Sequence, residues 1–148
     1  MKLGMKQLSE TDKAYIAGFF DGEGCVHISL KKRSDGSPYP YGMRMCFTNT
    51  NKNVLMSIAE TIGIGKLNCC VRKNMKHRDV WLLVVYGKDA QKLLNEIEPY
   101  LRLKKNIAVI AQGFQHMRTG QHGMSMVDRA SRIMIYERIR SANRKGNS

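Results

Sequence analysis

Two β-hairpin patterns, each followed by a helical pattern, constrain the fold of this chain more than any other feature. Apolar and polar residues alternate over residues 25–33, the turn-forming sequence SDGSPYPYG follows, and alternation resumes over residues 43–48. Alternation with period two is typical of half-buried strands, and Pro and Gly favour a turn. The stretch LNCCVRKNMKHRDVWLLVVYG has the same organisation and is predicted to turn near residues 76–78.

Helical spacing of apolar residues follows each hairpin, over residues 51–62 and 89–97. Helices are also predicted over residues 9–22, 104–117 and 125–141. We therefore predict an α+β fold in which a helix is followed by two β-hairpin–helix units (αββαββα) with additional C-terminal helices.

The length of 148 residues fits one domain with its own core. TGQHG near residue 120 is typical of a linker, and the final ANRKGNS is predicted to fray. The expected organisation is a core over residues 1–118, followed over residues 119–148 by a linker, a helix and a frayed tail.

The charge balance favours a polyanionic partner. Twenty-five Lys and Arg against twelve Asp and Glu give a net charge of +13. An excess of this size favours nucleic acid over an acidic membrane surface, although a merely basic protein is the alternative.

Neither a membrane span nor a secretion signal is expected. No stretch approaches the roughly 20 apolar residues that span a bilayer, and MKLGMKQLSETDK lacks an apolar signal core. We expect an intracellular protein that is not secreted, with organellar and prokaryotic or phage cytoplasm both open.

The four cysteines do not form a familiar metal or disulfide motif. Cys25, Cys46, Cys69 and Cys70 lie in strand-like runs, without a C-x-x-C pair or a His at zinc-finger spacing. This pattern favours reduced thiols in the core or on the sheet over a structural zinc site.

The first helix carries a face of small residues. Ala14, Gly18 and Gly22 lie four apart, with Ala17 and Asp21 beside them. Each Gly costs roughly 1 kcal/mol relative to Ala inside a helix, and small residues allow close helix–helix contact. We predict a homodimer about this face; the alternative is that the glycines pack under the protein's own sheet.

Two acids end the same helix. Asp21 and Glu23 lie at the negative end of the helix dipole, and a two-fold dimer would bring them near their symmetry mates. A divalent cation would relieve both costs, and carboxylate and carbonyl oxygens suit Mg²⁺.

The stretch IAGFFDGEG resembles the signature of the LAGLIDADG homing endonucleases, and its single copy resembles their homodimeric branch. The likeness covers most of the chain, including PYLRLKK, which is similar to a segment found late in these enzymes. It implies a saddle-shaped antiparallel sheet lying on double-stranded DNA.

The resemblance also implies residue roles. Glu23 would bind the catalytic Mg²⁺ (or Mn²⁺), the carbonyl of Gly22 would be a second ligand, and Asp21 would be a more structural acid at the metal site. Family members commonly have Asp where this chain has Glu23, so the longer side chain changes the distance to the metal.

Two further catalytic residues follow from the resemblance. Asn51 matches a residue that orients water, often Gln in the family, or else it caps the following helix. Lys104 matches a basic residue near the scissile phosphate, or else it is a solvated lysine at a helix start.

The implied function is site-specific cleavage of a long pseudo-palindromic DNA target, by metal-dependent phosphodiester hydrolysis that leaves 3′ overhangs, in the mobility of an intron or intein. The alternative is a non-catalytic binder with this fold, either an intron RNA maturase or a DNA-binding regulator.

Alternation along the strands predicts which side chains meet DNA. The apolar set Val26, Ile28, Leu30, Met43, Met45, Phe47, Leu67 and Val71 is expected under the helices. The opposite set is expected to contact DNA: His27, Ser29, Lys31, Arg33, Arg44, Cys46, Thr48, Asn68, Cys70 and Arg72. The face of the mostly apolar strand near Trp81 stays ambiguous.

Overall fold

The computed structural model describes residues 4–71, 76–116 and 126–145. Its helices are α1 (Glu10–Glu23), α2 (Lys52–Ile62), α3 (Gly87–Ile97), α4 (Lys105–His116) and α5 (Met126–Lys145), with a 3₁₀ turn at Glu98–Tyr100. Its strands are β1 (Gly24–Lys32), β2 (Pro38–Asn49), β3 (Lys66–Cys70) and β4 (Val80–Tyr86). The predicted α+β class and the αββαββα order with additional helices are confirmed.

The two hairpins lie side by side in one antiparallel sheet. Its strand order is β1-β2-β4-β3, so β2 and β4 pair at the centre. The register places Cys25 opposite Cys46, and Phe47 opposite Leu83. Each sheet face therefore combines side chains from both hairpins.

Local capping explains where α1 begins and where α2 begins and ends. The Ser9 hydroxyl accepts a hydrogen bond from the Asp12 amide, and the Asp12 carboxylate accepts one from the Ser9 amide, which is a capping box. Asn51 caps the start of α2, and Gly63 ends it with φ of 79°, a conformation that favours glycine.

One face of the sheet packs under the helices and forms the core. Phe20 of α1 contacts Phe47 of β2 edge to face, with ring centroids 5.4 Å apart. The buried side chains that this face contributes are Val26, Ile28, Met43, Met45, Phe47, Leu83 and Val85.

Helix α5 lies against the first hairpin. Asn143 Nδ2 donates to the Val26 carbonyl at 2.8 Å, and Arg132 Nη1 donates to the Pro40 carbonyl at 3.0 Å. The Arg132 guanidinium lies 4.6 Å from the Phe114 ring centroid, and its side chain is buried. Because β1 is an edge strand, the Asn143 contact protects a carbonyl that would otherwise lack a strand partner.

Several sequence-based boundaries and face assignments were wrong. The turn between β1 and β2 is short, because strand pairing continues into Pro38 despite the Pro and Gly content. A register shift after Ser29 interrupts the alternation, so Leu30 is 42% exposed. Val71 lies beyond the end of β3 and is 75% exposed instead of packed under the helices.

The C-terminal helix is longer than predicted, since α5 continues to Lys145 and includes part of the expected frayed tail. The expected linker, the first residue of the helix predicted over residues 125–141, and Arg72 lie outside the described residues. The division at residue 118 stays a prediction. Within the described ranges, no helix is both long and apolar enough to cross a membrane.

Candidate active site at the end of the first helix

Asp21 joins the end of α1 to the segment that leads into α4. Its Oδ2 accepts the backbone amide of Arg102 at 2.8 Å, and its Oδ1 accepts that of Lys104 at 2.9 Å. The Lys104 carbonyl in turn accepts the Ala108 amide, so Lys104 stands at the N-terminus of α4. A carboxylate is favourable there because the N-terminal end of a helix is positive.

Lys104 supports the end of α1 from the other side. Its Nζ donates to the carbonyls of Phe20, at 2.9 Å, and Gly24, at 2.6 Å. Partial burial lowers the pKa of Lys104 below its usual value, while nearby Cys25, Asp21 and Glu23 act in the opposite direction. A cation hydrogen-bonded to carbonyls at a helix C-terminus offsets the negative end of the dipole.

We call these contacts of Asp21 and Lys104 the α1–α4 clasp. The N-terminus of α4 is next to the Asp21 carboxylate, and the C-terminus of α1 is next to the Lys104 ammonium. Each helix end therefore faces the charge that its dipole favours. The placement of Asp21 near a helix C-terminus is therefore compensated within the chain, and no cation is needed to explain that residue. Both Asp21 oxygens already accept amides, which makes Asp21 a weaker candidate for a metal ligand than Glu23.

Glu23 is the last residue of α1, and both Glu23 and Gly22 are exposed. The clasp lies immediately beside them, on Asp21 and the Gly24 carbonyl. A carboxylate together with a backbone carbonyl is an oxygen donor set that fits Mg²⁺ or Mn²⁺, and exposure allows water or phosphate to complete the coordination.

Asn51 acts as a helix cap in this structure. Its Oδ1 accepts the Asn53 amide at 3.0 Å, and its own amide donates to Asn49 Oδ1 at 2.8 Å. The capping alternative from the sequence is thus the observed contact. A part in orienting water stays a prediction.

The sheet face opposite the helices, which we call the open face, carries most of the predicted DNA contacts. His27, Ser29, Arg44 and Thr48 are partly exposed there, while Cys46 is 2% exposed and thus offers almost no surface to DNA. Its position between Cys25 on β1 and Val84 on β4 explains this burial.

The outer members of the predicted DNA-contact set vary in their surroundings. Lys31 Nζ lies 4.3 Å from the Tyr41 ring centroid. Arg33 lies in the turn after β1, where its amide donates to the Ser37 carbonyl, and not in the strand as predicted. Asn68 is partly exposed, and Cys70 is exposed.

Strand β4 contributes apolar side chains to the open face. Leu82 and Val84 lie opposite Thr48 and Cys46. Trp81 lies on the other face of β4 and packs against the core. Trp81 also lies under Lys52, whose Nζ is 4.6 Å from the ring centroid. The ambiguity left by the sequence is resolved in favour of the core.

A compact cluster of Cys25, His27 and Cys46 lies on the open face near the clasp. The Cys25 thiol lies 3.0 Å from His27 Nε2. Hydrogen bonding from Cys46, with a smaller effect of His27, lowers the pKa of the Cys25 thiol to about 5, and the same contact raises the pKa of Cys46. No local sequence pattern predicts this cluster, because Cys46 is distant from Cys25 in the chain and becomes its neighbour only through the register of β1 and β2.

The predicted dimer face is partly available. Ala14, Gly18 and Gly22 are exposed, whereas Ala17 is fully buried in the core and cannot contribute surface. Within the part of the chain that the structure describes, a Cβ on Gly18 or Gly22 would meet no atom outside its own helix backbone within 4 Å, so these glycines do not pack under the sheet of the same chain. A groove of about 450 Å³ runs beside Gly18 and Asp21 and is bounded by residues 99–102.

The helix with its small-residue face, its terminal acids and the two following hairpin units together define a known class. The chain belongs to the LAGLIDADG endonuclease family, whose model matches residues 16–112.

Two curated proteins show detectable sequence similarity. DNA endonuclease I-CvuI from Chlorella vulgaris is 31% identical over 96 residues, which are 62% of this chain and 56% of that protein. Reverse gyrase from Methanocaldococcus jannaschii is 30% identical over 93 residues, which are 62% of this chain but 5% of that protein. The chain thus matches only part of each relative.

Solved structures share the fold. I-CvuI bound to its target in 2 mM Ca has a TM-score of 0.71 at 18% identity, covering 90% of this chain and 85% of that one. A second I-CvuI complex, in 2 mM Mg, has a TM-score of 0.64 at 19% identity and covers 90% and 82%. The archaeal intron-encoded I-Vdi141I, complexed with DNA, has a TM-score of 0.70 at 18% identity and covers 90% and 84%.

The two acids of α1 should differ in their effect on stability. Asp21→Ala leaves two backbone amides without their acceptor and should lower the free energy of unfolding by about 1–3 kcal/mol. Glu23→Ala, a matched truncation of an exposed side chain two residues away, should change it by no more than about 0.5 kcal/mol. Urea unfolding of both variants measures the difference, and equal losses would contradict the assignment.

Proposed function

We propose that this protein is a site-specific homing endonuclease that cleaves double-stranded DNA in the mobility of an intron or intein. The observation that carries the proposal is the exposed Glu23 carboxylate, held by the α1–α4 clasp where the helix meets the sheet. Family membership supports it, as does likeness to I-CvuI, which is named a DNA endonuclease. The net charge of +13 adds attraction for the phosphate backbone.

The reaction is hydrolysis of a phosphodiester bond. A bound Mg²⁺ or Mn²⁺ would supply an activated water and stabilise charge on the leaving oxygen. Glu23 and the Gly22 carbonyl would hold this ion, and Asp21 fixes the helix end that presents them. The Ca and Mg in the two I-CvuI complexes are consistent with a divalent ion.

Lys104 has a double role in this proposal. An ammonium group has three N–H donors, and the carbonyls of Phe20 and Gly24 use two of them. The third is available to a phosphate oxygen, where it stabilises charge that develops during cleavage.

The open face reads the target. Strand β1 has nine residues, which span roughly 30 Å at about 3.3 Å per residue. This length matches on the order of ten base pairs per protomer at about 3.4 Å each. His27, Ser29, Arg44, Thr48 and the outer residues contact base edges or phosphates.

Two protomers joined through Ala14, Gly18 and Gly22 form the active enzyme. A two-fold axis at this helix face places one Glu23 at each strand of a pseudo-palindromic target of roughly twenty base pairs, and the two cuts leave 3′ overhangs.

Cleavage should depend on Glu23. Selection on a randomised double-stranded DNA library in Mg²⁺ should yield a sequence that the wild type cuts. Glu23→Gln should cut this sequence at least about 100-fold more slowly, since even residues that only orient metal ligands contribute about 10–100-fold. The control Glu60→Gln removes the same charge from an exposed position on α2 and should cut at the wild-type rate.

Binding to the selected DNA separates catalysis from recognition. Glu23→Gln should keep its affinity for the site while it loses cleavage. Equal cleavage by Glu23→Gln would refute the metal-ligand assignment, and a wild type that binds a defined sequence but never cuts would favour the regulator alternative.

The dimer face can be tested independently of DNA. Gly18→Leu should shift sedimentation from dimer to monomer, because a leucine blocks close helix approach, whereas a Cβ at this position meets no described atom outside its own helix backbone within 4 Å. Gly113→Leu is the matched control, since Gly113 is also a helical glycine with an open Cβ position, on α4. A dimer that survives Gly18→Leu would place the interface elsewhere.

A further inference from the structure

The Cys25, His27 and Cys46 cluster has no part in the proposed hydrolysis, yet its three side chains converge. Their ligand atoms all lie within 4.8 Å of one another. Cys25 and Cys46 are direct cross-strand partners, and His27 follows Cys25 by two residues and so lies on the same face of β1. The convergence is therefore fixed by the register of the β1–β2 hairpin and not by a flexible loop.

We propose that Cys25, His27 and Cys46 form a binding site for a thiophilic divalent cation, of which Zn²⁺ is the representative. Zinc–sulfur bonds of about 2.3 Å and zinc–nitrogen bonds of about 2.0 Å require ligand atoms roughly 3.5–3.8 Å apart in a tetrahedron. The three ligand atoms lie within 4.8 Å of one another, a limit about 1 Å above the tetrahedral distances, so small side-chain rotations complete the site.

The donor set selects a different ion from the one at Glu23. Two thiolates and an imidazole favour Zn²⁺, whereas the carboxylate and carbonyl at Glu23 and Gly22 favour Mg²⁺. The proposed Mg²⁺ ligands Gly22 and Glu23 directly precede Gly24 in the chain, and the proposed Zn²⁺ ligand Cys25 directly follows it. Two chemically distinct cation sites therefore adjoin the start of β1.

Charge around the cluster is compatible with occupancy. Lys104 Nζ donates to the Gly24 carbonyl next to Cys25, and Arg44 is the cross-strand partner of His27. A divalent ion with two thiolates forms a neutral unit, so the occupied site does not add repulsion against these neighbours.

Burial shows how the site is completed. Cys46 is 2% exposed, while Cys25 and His27 are partly exposed on the open face. Three protein ligands leave a fourth tetrahedral position for water on the exposed side. The ion links β1 to β2 directly after Glu23.

Cobalt substitution tests this site on the 148-residue chain without DNA, so the outcome does not depend on nuclease activity. Reduced wild-type protein titrated with Co²⁺ should bind one thiolate-coordinated ion per chain, with thiolate charge-transfer absorption and the visible bands of tetrahedral cobalt. Zn²⁺ should displace it, and excess Mg²⁺ should not.

Variants assign the ligands. Cys25→Ser, Cys46→Ser and His27→Ala should each weaken Zn²⁺ binding at least about 100-fold in competition with a chromophoric chelator. The double variant Cys69→Ser with Cys70→Ser removes two exposed thiols on β3 and should bind like the wild type. His27→Ala changes a partly exposed residue, so it keeps the test valid if a substitution at buried Cys46 prevents folding.

Two outcomes would overturn the proposal. One is a wild type without thiolate–cobalt absorption, and the other is loss of binding in the Cys69 and Cys70 variant together with retention in His27→Ala.

Discussion

The α1–α4 clasp is the interaction on which the site depends. Asp21 accepts the amides of Arg102 and Lys104, and the Lys104 ammonium returns to the carbonyls of Phe20 and Gly24. Each helix end thereby receives the charge that its dipole favours. The consequence is a fixed junction between α1 and β1, at which Glu23 stays exposed while its neighbours are held by hydrogen bonds.

The same junction links two surfaces with different tasks. On one side, the exposed glycines of α1 leave room for a second copy of the helix. On the other, β1 carries Cys25 and His27 onto the open face, opposite Cys46 and Arg44 of β2. In the proposed enzyme, one short segment thus sets the geometry of the dimer, the metal ligands and the first base contacts together.

Local signals predicted much of this fold. Ser9 and Gly24 bound α1 near the predicted positions, and the alternation of Val26 with His27 gave their faces correctly. The clasp could not be predicted from the sequence, because Asp21 and Arg102 are 81 residues apart and no local pattern specifies that contact. The cysteine cluster likewise depends on register, which sequence spacing does not reveal.

Amide hydrogen exchange at Arg102 and Lys104 is the sharpest test of the α1–α4 clasp, since both amides donate to Asp21. Both amides should be protected in the wild type and exchange much faster in Asp21→Ala, while the Ile58 amide inside α2 should keep its protection in both proteins. Unprotected amides in the wild type, or protection that survives Asp21→Ala, would refute the clasp.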